Sequence, residues 1–160
     1  MLPAMVTLPP MTPEVWARWR TASVLAYADD KVRIGAWPSE GAVERSEREY
    51  AALVPDGQAT PGQEFRSIVN DAGVVVGALW FGPSDAIGRG QAFILDIEVD
   101  QAFRGQGYGR AALVALEALA RELGYDAIGL HVFGDNEAAR ALYRSAGYVE
   151  TDVTMQKRLG

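Results

Sequence analysis

The chain has 160 residues, 49% hydrophobic and 22% charged, enough apolar side chains to bury a core and too many for a disordered segment. Fifteen basic against twenty-one acidic residues give a net charge of −6, which opposes general binding to nucleic acid while leaving room for a local basic pocket. The absence of cysteine excludes a disulfide framework, a thiolate metal site and a cysteine nucleophile.

A short strand is expected at Met5–Leu8. Thr12 and Pro13 read as an N-cap and a first-turn proline, opening a helix to about Ala28 whose apolar surface includes Trp16, Trp19, Val24 and Tyr27. A second helix starts near Ser39 and carries AVERSEREYAAL, and the prolines and glycines of VPDGQATPG force a loop after it. From Phe65 the pattern turns to strands: FRSIVN and VVVGALWF, joined through Asp71-Ala72-Gly73, make a hairpin. The polar connection GPSDAIGRG leads to another strand, QAFILDIEV.

After that strand comes VDQAFRGQGYGR, then a helix from Arg110 to Leu123 with Leu113, Leu116, Ala120 and Leu123 on one face and Gly124 at its C-cap. AIGLHVF is a further strand. GDNEAARALYRSAG gives a last helix between Asp135 or Asn136 and Gly147, and YVETDVTMQKRL one or two closing strands. No segment approaches the roughly 20 apolar residues of a membrane span, and the first ten residues lack a signal-peptide pattern. A single cytoplasmic domain over residues 1–160, with neither a nucleic acid nor a membrane as partner, is therefore expected.

The glycine loop is sorted by its spacing. Gly105, Gly107 and Gly109 stand two apart, with Arg110 where a dinucleotide fingerprint needs its third glycine, and no G-K-[ST] is present for a P-loop. What remains is a strand, a short turn and a helix N-terminus, where glycines let backbone N–H groups approach an anion and the helix dipole favours it. Arg104 and Arg110 add full positive charge, so a pyrophosphate suits the loop.

Arg104-Gly105-Gln106-Gly107-Tyr108-Gly109 resembles the Q/R-x-x-G-x-G/A coenzyme A loop of the GNAT superfamily of N-acetyltransferases. HVFGDNEAARALYRSAGY is similar to that family's later region of strand, asparagine, helix and tyrosine, with Asn136 and Tyr143 at the matching places. The resemblance implies an α/β (α+β) GNAT-like fold: a central mixed, mostly antiparallel sheet flanked by helices and splayed at the acetyl-CoA cleft. It implies that main chain around Ile97 to Val99 bonds the pantetheine arm, that residues Arg104 to Arg110 hold the pyrophosphate, and that Asn136 holds the arm from its other side. The activity implied is direct transfer of acetyl from acetyl-CoA, a co-substrate, to a primary amine of a small molecule or peptide, without a metal. A non-catalytic acyl-CoA-binding or sensing domain is the alternative, and a homodimer is in keeping with the family.

Acetyl transfer needs a neutral amine, donors for the developing oxyanion and a proton for the departing thiolate. By resemblance Tyr143 is the acid near the sulfur and the Val99 N–H an oxyanion donor. Three residues are candidates for the base, in the order Glu98, Asp96 and His131. Asp96 and Glu98 lie two apart on a strand, hence on one side of it, where burial or mutual repulsion raises a carboxyl pKa. His131, the one histidine, has a suitable intrinsic pKa. Acceptor selectivity falls to the N-terminal helices and nearby loops, with Trp16, Trp37 and Trp80 as lining or core, and the acidic balance favours a cationic amine.

Overall fold

The structure, a computed structural model, describes residues 2–84 and 90–160, so part of the GPSDAIGRG connection lies outside the described residues. Two compact units are distinguished, Met1–Leu130 and His131–Gly160. The first contains β1 (Val6–Thr7), α1 (Pro13–Arg33), α2 (Ala42–Leu53), β2 (Glu64–Asn70), β3 (Val75–Ser84), β4 (Gln91–Val99), α3 (Tyr108–Glu122) and β5 (Ala127–Leu130). The second contains α4 (Glu137–Ser145).

α1 begins as its sequence directs, with Thr12 Oγ1 accepting from the Val15 N–H at 3.2 Å and Pro13 in the first turn. It runs past Ala28 to Arg33 because no proline or glycine interrupts it before Gly35, and Lys31 and Arg33 complement the negative end of its dipole. α3 starts at Tyr108 rather than Arg110, with Gly107 as its N-cap at φ 85°. Its buried stripe is Ala112, Leu113, Leu116 and Ala120, whereas Leu123 closes the helix half-exposed.

The sheet has the order β1-β2-β3-β4-β5, antiparallel throughout except for the parallel β4–β5 pair. Register places Phe65 opposite Trp80 and Ser67 opposite Ala78, so these four share one face. On that face Phe65 and Trp80 pack with Met11, Val24, Tyr50 and Val54, and Val15, Trp16, Trp19 and Tyr27 of α1 close the cluster. Phe65 stacks on Trp80 at 5.5 Å, and Trp19 meets Trp80 edge-on at 5.6 Å. The other face of the sheet is also dry, with Ile68, Leu79 and Phe81 fully buried. α3 packs against β1, β4 and β5. Among the described residues no helix is long and apolar enough to cross a membrane.

In the second unit α4 is capped by Asn136, whose Oδ1 accepts from the Ala139 N–H at 3.2 Å. Arg140 donates to the Gly134 carbonyl and pairs with Glu137 and Glu150, all at 2.9–3.0 Å. The closing strands expected over YVETDVTMQKRL do not form. The segment has the alternation of a strand, but a strand exists through its ladder, and Val149, Val153, Met155 and Leu159 are exposed, with no strand partner among the described residues.

β3 approaches β4 most closely at Gly77, which lies opposite Val99 and where any Cβ would run into the Glu98 carbonyl. Gly77→Ala is expected to lower the unfolding free energy by about 1–3 kcal/mol in urea titrations, through forced repacking of the β3–β4 pair. An unchanged urea midpoint would contradict this register.

Candidate active site

β4 carries one residue more than β3 can pair. Trp80 opposes Asp96 and Phe81 opposes Ile94, so Leu95 is a β-bulge. The extra residue reverses the alternation of side chains along the strand. Ala92 and Ile94 lie on the face of Pro83 and Phe81, while Asp96 and Glu98 lie on the face of Trp80 and Ala78. The bulge thus turns Asp96 toward the side covered by α1 and α2.

There Trp19 Nε1 donates to Asp96 Oδ2 at 2.9 Å, and Ser23 Oγ reaches the same oxygen at 3.5 Å. Burial pushes the Asp96 carboxyl up to about 6; the Trp19 hydrogen bond opposes this, the Glu98 charge adds to it, and Ser23 opposes it. Tyr50 is raised too, chiefly by burial and then by the charge of Asp96, with Ser23 in hydrogen-bond reach of its hydroxyl. Glu98, on the same side, is 60% exposed and pairs with Arg104 Nη2 at 3.1 Å.

The pairing of β4 with β5 covers only Gln91–Ile94, leaving Asp96–Val99 paired to β3 alone. The Asp100 N–H donates to Val76 O at 2.8 Å, so Asp100 and Glu98 direct their backbone groups at β3. Ile97 and Val99 consequently direct theirs to the edge that β5 has left. Arg104 Nε takes the Val99 carbonyl at 2.9 Å. Arg104 is therefore tied by its guanidinium to both Glu98 and Val99.

A 3₁₀ turn at Gln101–Phe103 leads into the glycine loop. Gly105 and Gly107 have φ of 73° and 85°, values that favour glycine, and a Cβ on Gly105 would meet nothing within 4 Å. Gly107 is the N-cap of α3 and, lacking a side chain, gives the first N–H groups of the helix no cap of its own. Tyr108 turns inward, its hydroxyl accepting from Asn70 Nδ2 at 3.3 Å and its ring edge-on to Phe103. Gln106 and Arg110 are exposed, and Gly109 is in the first turn of α3.

Thus Asp96, Ile97, Glu98, Val99 and residues 104–110 come together at the end of β4 and the start of α3 in the first unit. His131, Asn136 and Tyr143 belong to the second unit. His131 is exposed and edge-on to Phe133 at 5.3 Å. Tyr143 is half-buried with its ring 5.8 Å from that of Tyr148. Trp37 and Trp80 are core residues at 7% and 2% exposure, and Trp16 packs on Phe65. The sequence pattern did not single out Trp19 and Ser23 as partners of Asp96; their spacing of four was the available signal, and it reads equally well as core.

The family model for the acetyltransferase (GNAT) family matches residues 17–148. Two uncharacterized N-acetyltransferases of Bacillus subtilis (strain 168) are similar over almost their whole length. YdgE is 37% identical over 96% of this chain and 98% of its own, and YycN 36% identical over 96% and 99%. The crystal structure of YycN superposes with a TM-score of 0.90 at 36% identity, covering 97% of this chain and 99% of that one. The fold is shared at 15% identity and a TM-score of 0.61 by AAC(6')-Iy, solved with the bisubstrate analog CoA-S-monomethyl-acetylneamine, covering 96% and 97% of the two chains.

Because the folded Asp96 binds a proton that the unfolded chain has already lost between about pH 4 and 6, its burial reduces stability as pH rises through that window. Asp96→Asn is expected to raise Tm at pH 7.5, on the order of 5 °C, and to leave it unchanged below pH 4. Calorimetric melts across this range check it, and an equal gain at both ends would contradict the titration.

Proposed function

The chain belongs to the acetyltransferase (GNAT) family and is an acyltransferase, and on that premise we propose that it moves acetyl from acetyl-CoA directly to a primary amine. The observation that carries the reading is the end of β4: its outer edge loses β5 after Ile94 and runs at once into the glycine loop and the N-terminus of α3. The backbone groups of Ile97 suit an amide of the pantetheine arm, and the Val99 N–H, whose own residue's carbonyl is held by Arg104, stays available as a donor on the same edge. The N–H groups around Gly105, Gly107 and Gly109 suit a pyrophosphate, and no side chain fills the space a Cβ on Gly105 would take. The family match spans both units, which supports one domain over residues 1–160.

Bound acetyl-CoA supplies a thioester whose C–S bond breaks as a C–N bond forms, the acetyl passing to the acceptor. Of the three base candidates, Asp96 has the surroundings for the task. It is ionised at neutral pH, close enough to neutrality to accept a proton, and held by α1. Glu98 is exposed and tied to Arg104; it contributes negative charge that attracts a cationic amine. The Val99 N–H donates to the oxygen that gains charge, Asn136 holds the pantetheine arm, and Tyr143 gives its proton to the departing sulfur. The acceptor proton thus goes to Asp96 and the thiol leaves with the phenolic one.

Incubation with acetyl-CoA and a panel of primary amines, following thiol release and product mass, tests the activity; acetylated product with stoichiometric thiol is the expected result. Tyr143→Phe is expected to lower turnover about 10²- to 10⁴-fold under saturating acetyl-CoA while leaving coenzyme A affinity intact. Full turnover in that variant would remove the acid from Tyr143. Gly107→Asp is expected to weaken coenzyme A binding at least about tenfold by calorimetry, a carboxylate facing the pyrophosphate. Gly107→Asn, isosteric and uncharged, is expected to lose less affinity than Gly107→Asp; equal losses in both would assign the effect to the added side chain and to backbone strain at φ 85° rather than to charge.

A further inference from the structure

The Asp96 carboxylate is held by one oxygen. Trp19 Nε1 and Ser23 Oγ both reach Oδ2, at 2.9 and 3.5 Å, and among the described residues no donor is placed on Oδ1. Trp19 and Ser23 stand four residues apart on α1, so they leave the helix on the same side one turn apart. We infer that Trp19 and Ser23 are positioning residues for acetyl transfer: they fasten Oδ2 and so present Oδ1 to the acceptor nitrogen. The inference rests on the reading of Asp96 as the base. In the step it describes, an N–H bond of the acceptor ammonium breaks and an O–H bond forms at Oδ1; the electron pair left on nitrogen forms the C–N bond as the C–S bond breaks, the sulfur takes the phenolic proton, and the nitrogen's second proton restores the phenol.

The two oxygens of a carboxylate are equivalent until the surroundings distinguish them. Trp19 suits this, because its partly buried ring packs on both Phe65 at 5.4 Å and Trp80 at 5.6 Å, contacts that a swing of the N–H away from Asp96 would break. The neighbouring indole of Trp80 is satisfied elsewhere, donating to Gln63 Oε1 at 2.8 Å. Apolar packing alone would place an indole here; it does not account for an N–H aimed at a carboxylate. The groups facing Asp96 are Trp19 and Ser23 from α1, Tyr50 from α2, Trp80 opposite on β3 and Glu98 on its own strand. Arg20 of α1 acts on Tyr50 and is paired with Glu47. Of these, only the two donors on Oδ2 favour the ionised carboxylate directly, while Glu98 opposes it. Their loss therefore raises the pH at which Asp96 ionises as well as freeing the carboxylate to turn.

The test uses the full chain with Trp19→Phe, with benzothienylalanine at position 19, which keeps the ring shape and lacks the N–H, and with Ser23→Ala. The Asp96 carboxyl is followed by ¹³C NMR, assigned with Asp96→Asn. The pH profile of kcat/KM is measured with acetyl-CoA and the fastest acceptor of the amine panel. The expected result is an upward shift of about one pH unit at position 19, in both the NMR titration and the acidic limb of the profile, and a smaller one in Ser23→Ala. A fall in plateau kcat of about tenfold, with the KM for acetyl-CoA unchanged, is expected from the misdirected oxygen. The benzothienylalanine protein holds the interpretation if Trp19→Phe fails to fold. A wild-type titration and profile in that protein, where Asp96→Asn is inactive, overturns the positioning role and leaves the base in place. Full activity of Asp96→Asn overturns the base itself, and the inference with it.

Discussion

A single unpaired residue, Leu95, decides what the end of β4 can do. Up to Ile94 the strand is an interior strand, laddered to β3 on one edge and β5 on the other, with side chains that serve the core. Beyond it, parity has flipped and one edge has been released. The flip puts a carboxylate under α1 where the earlier register would have put it on the Phe81 face. The release leaves the backbone of Ile97 and the N–H of Val99 without a β5 partner, while the Val99 carbonyl accepts from Arg104. The flip comes from the bulge and the release from the end of β5 at Leu130; the two coincide at Ile94, and the glycine loop begins within a few residues of both.

Placing Asp96 there carries a cost, because a carboxylate loses water on entering an aromatic cluster. The hydrogen bonds of Trp19 and Ser23 return part of that cost, and the remainder appears as a carboxyl that ionises near pH 6. The same aromatic cluster that stabilises α1 and α2 on the sheet therefore also sets the proton affinity of the group they cover. Arg104 links the two halves of the site differently, binding the side chain of Glu98 and the backbone of Val99 with one guanidinium.

Much of this was legible in the residues. Thr12-Pro13 marked the start of α1, the Asp71–Gly73 turn marked the β2–β3 hairpin, and the glycine spacing marked the turn that leads into α3. These are local signals, set by capping and backbone conformation within a few positions. The bulge at Leu95 was not legible, since QAFILDIEV alternates acceptably in either register and only pairing with β3 reveals which residue is extra. Nor was the Trp19–Asp96 bond, made across 77 positions by residues that also suit a core. The C-terminal segment misled for the converse reason: its alternation is real, but alternation does not supply a partner.

The central claim is that the released edge of β4 and the glycine loop together receive acetyl-CoA. Amide hydrogen exchange resolved to single residues, with and without saturating acetyl-CoA, tests it most directly. The account predicts slowed exchange at Ile97 and Val99 and across Gly105 to Gly109, with little change at Glu98, whose amide already faces β3. Slowing confined to other parts of the chain, with these amides exchanging as in the free protein, would contradict it.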